Sequence, residues 1–408
     1  MLDFDSIRKD FPVIENNPDI IYFDNAATTL KSKSVIEAVN SFYLYFTSNI
    51  HRGDYDMSVK VSKLYDDTRI TVKNFINANS QKEIVFTSGA TESLNTVAYG
   101  YGYKHLKEGD VVLTTYSEHA SNILPWFDVC KKTKAIIKYI PLNNDGTFNI
   151  EEYKNCFIDT NVKIVSLPYV SNVLGYINPI KEIVDIAHGN NAIVNVDGAQ
   201  AIPHIKVDVK DLDLDFLSFS GHKMCGPSGI GVLYGKLTLL EKMDPLKYGG
   251  GANARFDADG NVILSNVPMK FEAGTPNIEG VLGLNAAIKY LESIGMDQIH
   301  KRDLELVTYL KEKLSKLDNV TIYNMNSECG IISFNLKDIF AQDVAGYLNQ
   351  NKICVRSGNH CAKILHNVIC TNETIRASLY FYNTKEEIDR FVEVIKETTL
   401  EKCIGVII

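Results

Sequence analysis

A lysine stands among small and hydroxyl residues in Ser218-Phe219-Ser220-Gly221-His222-Lys223, downstream of an aspartate closing the apolar run Val194-Asn195-Val196-Asp197. Lysine amines condense with aldehydes, and pyridoxal 5'-phosphate is the aldehyde that proteins most often use in this way. Asp197 meets the second need of that chemistry, a carboxylate that keeps a pyridine nitrogen protonated so that the ring withdraws electrons. Asp is also a common helix cap, so the pair gains its meaning from its companions.

The first companion is Thr87-Ser88-Gly89-Ala90-Thr91-Glu92-Ser93, a small-residue turn between the strand-like Ile84-Val85-Phe86 and a helical pattern. Free N–H groups and the helix dipole at such a start favour a phosphate, to which Gly89, Ala90 and the Thr91 hydroxyl would contribute. Ser220 and His222 would reach the same phosphate from the other side. Gln200, three residues after Asp197, is within reach of a phenolic ring oxygen. His119, in Tyr116-Ser117-Glu118-His119, suits stacking on a ring and exchanging protons near neutrality. Asn172 lies in Val170-Ser171-Asn172-Val173 and is a weak signal alone.

Two later segments bear on the reaction. Val355-Arg356-Ser357-Gly358-Asn359-His360-Cys361-Ala362 sets a cysteine in a polar, glycine-containing loop, with Arg356 and His360 nearby to favour a thiolate. Thr374-Ile375-Arg376-Ala377-Ser378 offers a guanidinium fork for an amino-acid carboxylate. The alternative for Arg376 is an ordinary ion pair.

The elements that must position these residues follow from periodicity. Short apolar runs at Ile84–Phe86, Val111–Leu113, Ala135–Ile140, Ile164–Leu167, Ala192–Val196, Phe216–Ser218 and Ile230–Leu233 read as buried strands. Helical patterns at Glu92–Tyr101, Ile123–Lys132 and Pro179–His188 alternate with them. This predicts an α/β fold, a mostly parallel seven-stranded sheet in a large domain over residues 21–285. Beyond it, helices at Asn285–Ile294, Met296–Leu317, Ala341–Gln350 and Lys385–Thr398 enclose strands at Val320–Tyr323, Ile331–Phe334 and Ile353–Val355. These predict a smaller α+β C-terminal domain over 286–408, with residues 1–20 packing against it.

The chain has 408 residues, above the roughly 250–300 at which a single core stops growing. A net charge of −8 without a basic run argues against nucleic acid as a partner. No apolar segment approaches the roughly 20 residues a bilayer requires, and the N-terminus lacks the pattern of a signal peptide, so a cytoplasmic protein without a membrane partner is expected. Eight cysteines include no Cys-x-x-Cys pair, and His360, Cys361 and His366 lack a four-ligand spacing, so no metal is expected.

Together these motifs resemble the cysteine desulfurases, fold-type-I pyridoxal-phosphate enzymes related to the class V aminotransferases. The resemblance runs from Tyr22–Thr29 to Tyr380–Thr384, through His51-Arg52-Gly53, Glu118-His119, Val170–Asn178, Val196–Gln200, Ser220–Gly229, Phe271–Pro276, Arg356–Ala362 and Arg376–Leu379. The short Arg-x-Gly-x-His-Cys-Ala loop is similar to the SufS/CsdA-type group, unlike the NifS/IscS group with its longer loop. The resemblance implies Lys223 as the cofactor-bearing lysine, Asp197 as pyridinium partner, His119 as the ring-stacking residue and Gln200 at the phenolic oxygen. It also implies Thr91, Ser220 and His222 at the phosphate. Thr275 would reach the phosphate of a second subunit, hence a homodimer. Arg376 and Asn172 would hold the carboxylate of L-cysteine, or of L-selenocysteine as in the related lyases, while Cys361 would take the sulfur as a persulfide for an acceptor of SufE or SufU type in iron–sulfur cluster assembly. Asn359 replaces a histidine found in many relatives, and Gln342 stands where those using a SufU-type acceptor often carry one.

Overall fold

The computed structural model describes residues 3–404 except Arg52, so the middle of the His51-Arg52-Gly53 motif lies outside the described residues. Among them, seven strands form one sheet in the order Ile84–Thr87, Gly231–Gly235, Phe216–Ser220, Ile193–Asp197, Val162–Pro168, Val111–Thr115, Ile136–Ile140. Gly231–Gly235 is antiparallel to both of its neighbours, and the other pairs are parallel. The sequence accounts for this arrangement. Val111–Thr115 and Phe216–Ser220 are buried at every position, as strands covered by helices on both faces must be. At the edge, Ile136–Ile140 alternates between exposed and covered residues.

Because Ile84–Thr87 and Phe216–Ser220 both oppose Gly231–Gly235, they point the same way as the parallel strands. Their carboxyl ends, with Gly89, His119, Asn172, Asp197 and Lys223 just beyond them, therefore open on one edge of the sheet.

A second, antiparallel sheet orders Val320–Ile322, Ile331–Leu336, Thr374–Ser378, Arg356–Gly358. Its core joins Leu306, Leu310, Phe334, Ile375, Ile388 and Phe391. The helix Met296–Leu314 links the two cores, with Ile299 in the larger and Leu306 in the smaller. The N-terminal segment reaches this second unit. Ile21–Tyr22 pairs in parallel with Ile353–Cys354, and Arg8 donates to the Tyr382 carbonyl at 2.8 Å.

Several boundaries differ from expectation for physical reasons. The helix expected from Asn285 begins at Ile278, capped by the Asn277 side chain on the Gly280 N–H. Gly280 and Gly283 disguise it, but a Cβ on Gly283 would lie 2.3 Å from Pro227, so close packing requires the glycine. The helix expected at Glu92–Tyr101 starts at Ala90 and becomes a wider π turn at Ala98–Gly102. Arg356–Gly358, read as loop, is a strand of the small sheet, while Ile353–Cys354 pairs elsewhere.

A Cβ on Gly231 would come within 2.4 Å of the Gly89 Cα and 2.7 Å of the Phe219 carbonyl oxygen. Gly231→Ala is therefore expected to cost about 1–3 kcal/mol by forcing the Gly89 turn away from the sheet. Urea unfolding of the cofactor-free variant checks this, and wild-type stability would contradict it.

Candidate active site

A pocket of about 190 Å³ opens at the shared strand edge, lined by Ala90, Thr91, His119, Asn172, Asp197, Ser220, His222, Lys223 and Arg376 among others. These residues come from far apart in the chain; the large sheet gathers most of them at one edge, and Arg376 comes to it from the small antiparallel sheet. The remaining expected residues lie elsewhere. Gly89 is the cap just behind Ala90. Gln200 is buried off the pocket wall, with Nε2 donating to the Ala26 carbonyl at 2.8 Å and Oε1 lacking a partner. Thr275 is exposed and lines a different cleft, where Asn49 Nδ2 approaches its hydroxyl at 3.4 Å. Cys361 is exposed, and its Sγ lies 3.9 Å from a guanidinium nitrogen of Arg356, itself a pocket residue.

Asp197 divides its carboxylate between the two expected uses. Oδ1 caps the next turn by accepting the Ala199 N–H at 2.9 Å, which leaves Oδ2 for the pocket. Burial lowers the Lys223 amine below the ordinary lysine value, with Asp197 opposing. The amine thus holds its proton less tightly than a surface lysine does. His119 caps the helix Ala120–Thr133 and accepts the Ser121 N–H on Nδ1 at 3.1 Å, which places the imidazole proton on Nε2. Burial brings His119 down to about 4, against the pull of Asp197. Burial and the neighbouring Lys223 bring His222 down to about 4 as well. Both are neutral rings at physiological pH. Behind His119, burial and Asp197 push the Glu118 carboxyl well above the usual range.

Arg376 is 1% exposed. Nη1 donates to the Asn172 carbonyl at 2.9 Å, Nη2 meets Asp24 Oδ1 at 3.2 Å, and Nε has no partner. Arg356 stands directly opposite it in the antiparallel register. Among the described residues Arg356 has no carboxylate within ion-pair distance. Like charges facing across strands destabilise a sheet. Two guanidiniums line one pocket, and Asp24 pairs with Arg376 alone, which leaves positive charge there for a small anion.

The expectation that His360 helps to favour a thiolate is corrected by the structure. Its Nε2 faces the Thr374 carbonyl at 3.1 Å and the Thr374 hydroxyl at 2.9 Å, and burial and Arg376 lower its pKa far enough to keep it neutral. Arg356 is the cation beside the sulfur, with the charges of Lys223 and Arg376 acting on it from farther off. His360 and Cys361 both adopt left-handed backbone, with φ of 50° and 59°. The Cys361 carbonyl accepts the Ala120 N–H at 2.8 Å, tying the loop to the residue after His119.

Sequence reasoning missed Ser121, Ala26, Ala27 and Asp24. Ser121 joins the site through its hydroxyl, 2.8 Å from that of Thr91. Ala26 and Ala27 line the wall through their smallness, which no motif announces.

Residues 21–391 match the aminotransferase class-V family. The chain belongs to that family. A probable cysteine desulfurase of Halalkalibacterium halodurans is 45% identical over 395 residues, covering 96% of this chain and 97% of the relative. The apo cysteine desulfurase of Thermococcus onnurineus superimposes with a TM-score of 0.93 at 39% identity, covering 97% of this chain and 98% of that one. CsdA of Escherichia coli, a cysteine desulfurase solved in an S-sulfonic acid form, gives 0.91 at 33%, covering 100% and 99%. Likeness over nearly the whole length places the chain among the cysteine desulfurases, whose cofactor is pyridoxal 5'-phosphate.

The residues present fit that cofactor. The amine of Lys223 and Oδ2 of Asp197 are both open to the pocket, whose far wall is the start of the helix Ala90–Val97. There the first-turn N–H groups have no acceptor within the helix. The Ser220 hydroxyl, which accepts the Ala90 N–H at 2.7 Å, adds a polar group at the same wall.

The lowered histidines predict an acid dependence. Between about 6.5, where an ordinary histidine titrates, and about 4, the unfolded chain takes up protons that folded His119 and His222 refuse. Stability of the cofactor-free protein should therefore fall as the pH drops through that window. Urea midpoints across the range, with a shallower slope in His119→Asn, test this, and equal slopes would contradict it.

Proposed function

We propose that this chain converts L-cysteine to L-alanine and retains the sulfur as a persulfide on Cys361. One observation carries the reading. An exposed thiol lies beside Arg356, a guanidinium that lines the pocket where Lys223, Asp197, His119 and Arg376 meet.

Lys223 would bear the cofactor, Asp197 would face its pyridine nitrogen and His119 would stack on its ring, with Gln200 assigned to the phenolic oxygen. Gly89, Ala90, Thr91, Ser220 and His222 would hold the phosphate. When bound, pyridoxal 5'-phosphate supplies an electron sink for the pair left at the substrate α-carbon. Arg376 grips the substrate carboxylate, oriented by Asn172, while Arg356 balances the charge. Lys223 Nζ, already poor at keeping a proton, takes one from the α-carbon. The Cys361 thiolate attacks the substrate sulfur. A sulfur–sulfur bond forms as the carbon–sulfur bond breaks, and the electron pair from that bond stays on the carbon fragment. Protonation of the fragment gives alanine, and Cys361 keeps the outer sulfur.

The reading extends to a SufS/CsdA-type enzyme, cytoplasmic and homodimeric, with Thr275 serving the partner's cofactor. Its persulfide would pass to an acceptor of SufE or SufU type for iron–sulfur cluster assembly. The exposed position of Thr275, away from its own chain's pocket, supports the dimer. The same reading divides the chain into residues 1–20, 21–285 and 286–408, the last carrying Cys361 and Arg376. L-selenocysteine is the alternative substrate.

Wild type with L-cysteine and a reductant should release alanine and sulfide, and Cys361→Ala and Lys223→Ala should each fail. Full activity of Cys361→Ala on cysteine would remove Cys361 as sulfur acceptor and bring a selenocysteine lyase or aminotransferase forward.

A further inference from the structure

We propose that Lys31 is a positioning residue for Lys223, clamping with Thr28 and Thr29 the peptide carbonyl that precedes it. The proposal rests on the reading of Lys223 as the cofactor-bearing lysine.

The carbonyl oxygen of His222 is the focus of four donors. Thr28 Oγ1 approaches at 3.0 Å, Thr29 Oγ1 at 3.1 Å, the Thr29 N–H at 3.0 Å and Lys31 Nζ at 3.0 Å. A carbonyl oxygen has two lone pairs, so four donors exceed what burial alone demands. Lys31 braces the cluster by donating also to Thr28 Oγ1 at 3.0 Å and to the Thr29 carbonyl. Beyond Lys223, the Cys225 N–H donates to Thr29 Oγ1 at 2.8 Å. One hydroxyl therefore holds the chain on both sides of the lysine.

The tight turn Gly221–Lys223 is closed from within by the Met224 and Gly226 N–H groups on the Gly221 carbonyl. The clamp from residues 28–31 adds the outer hold. Lys31 is half-buried and, among the described residues, has no carboxylate partner within ion-pair distance. Burial lowers it to about 8, a cost that an apolar or amide side chain would avoid. Its charge also helps to keep His222 neutral. The ammonium gives a charge-assisted donor at the carbonyl, stronger than a neutral one. The functional need is plain. In each cycle the Lys223 side chain must let go and return to the same place, so only its backbone can store the address.

The test compares holoenzymes of wild type, Lys31→Met, Lys31→Arg, Thr29→Val and Lys223→Ala. Its readouts are kcat and KM for alanine formation and the pH midpoint of the visible cofactor band without substrate. Hydrogen–deuterium exchange of the Gly221–Gly226 segment in cofactor-free protein adds a readout independent of turnover. In Lys31→Met, kcat should fall about ten- to a hundredfold, as for a misplaced reacting group. KM should stay within about twofold, the band midpoint should move, and exchange should rise in the turn alone. Lys31→Arg should restore most of the loss, and Thr29→Val should act in the same direction as Lys31→Met.

Wild-type kcat, midpoint and exchange in Lys31→Met would overturn the proposal. So would activity lost only in proportion to cofactor lost, with exchange raised across the whole large sheet. If Lys31→Met does not fold, Lys31→Gln takes its place, with the same changes expected and the same results overturning the clamp. Alanine formation by Lys223→Ala would instead defeat the reading of Lys223, a separate result because the exchange signature needs no cofactor.

Discussion

A fully buried guanidinium must be answered from several directions, and the answer given to Arg376 holds this structure together. Taking such a charge out of water costs several kcal/mol unless partners and hydrogen bonds restore what water supplied. The Asn172 carbonyl comes from the loop after a strand of the large sheet, and the Asp24 carboxylate comes from the N-terminal segment. Asn172 also donates Nδ2 to the His360 carbonyl at 2.8 Å, and His360 turns back onto Thr374, two residues from Arg376. The circuit of contacts thus closes on itself. Three distant parts of the chain are fixed relative to one another by the requirement of a single charge, and the pocket is the space they leave.

Much of this was legible in the sequence, and the parts that were not share a cause. The seven strands of the large sheet announce themselves because most are buried on both faces and therefore read as apolar runs. Lys223, Asp197, His119 and Arg376 are legible because their chemistry is unusual for their positions. The strand Arg356–Gly358 was not, since Arg-Ser-Gly has little strand propensity and is set by pairing with Thr374–Ser378. The helix start at Ile278 was hidden by glycines kept for a close approach. His360 looked like a helper for the thiol because sequence distance cannot say which way a ring turns. Ala26 and Ala27 contribute by absence of bulk, a property that only the assembled wall reveals.

The electrostatics of the pocket have a consistent sign. Its histidines are neutral, its lysine is inclined to lose a proton, and its fixed positive charge resides in two arginines. Positive charge is thus concentrated on groups that do not titrate near neutrality, while the two imidazoles stay uncharged there and the lysine is the group whose hold on its proton is weakened.

The left-handed backbone at His360 and Cys361 bears on what sequence change can reach. Glycine adopts that conformation with no penalty, and any residue with a Cβ is at a disadvantage of roughly 1–2 kcal/mol there. A histidine and a cysteine in their place mean that the loop is held against the preference of its own main chain, by the His360 ring on Thr374 and by the Ala120 N–H on the Cys361 carbonyl. Glycine at either position would relieve that cost in the folded loop and enlarge the freedom that the unfolded chain must give up.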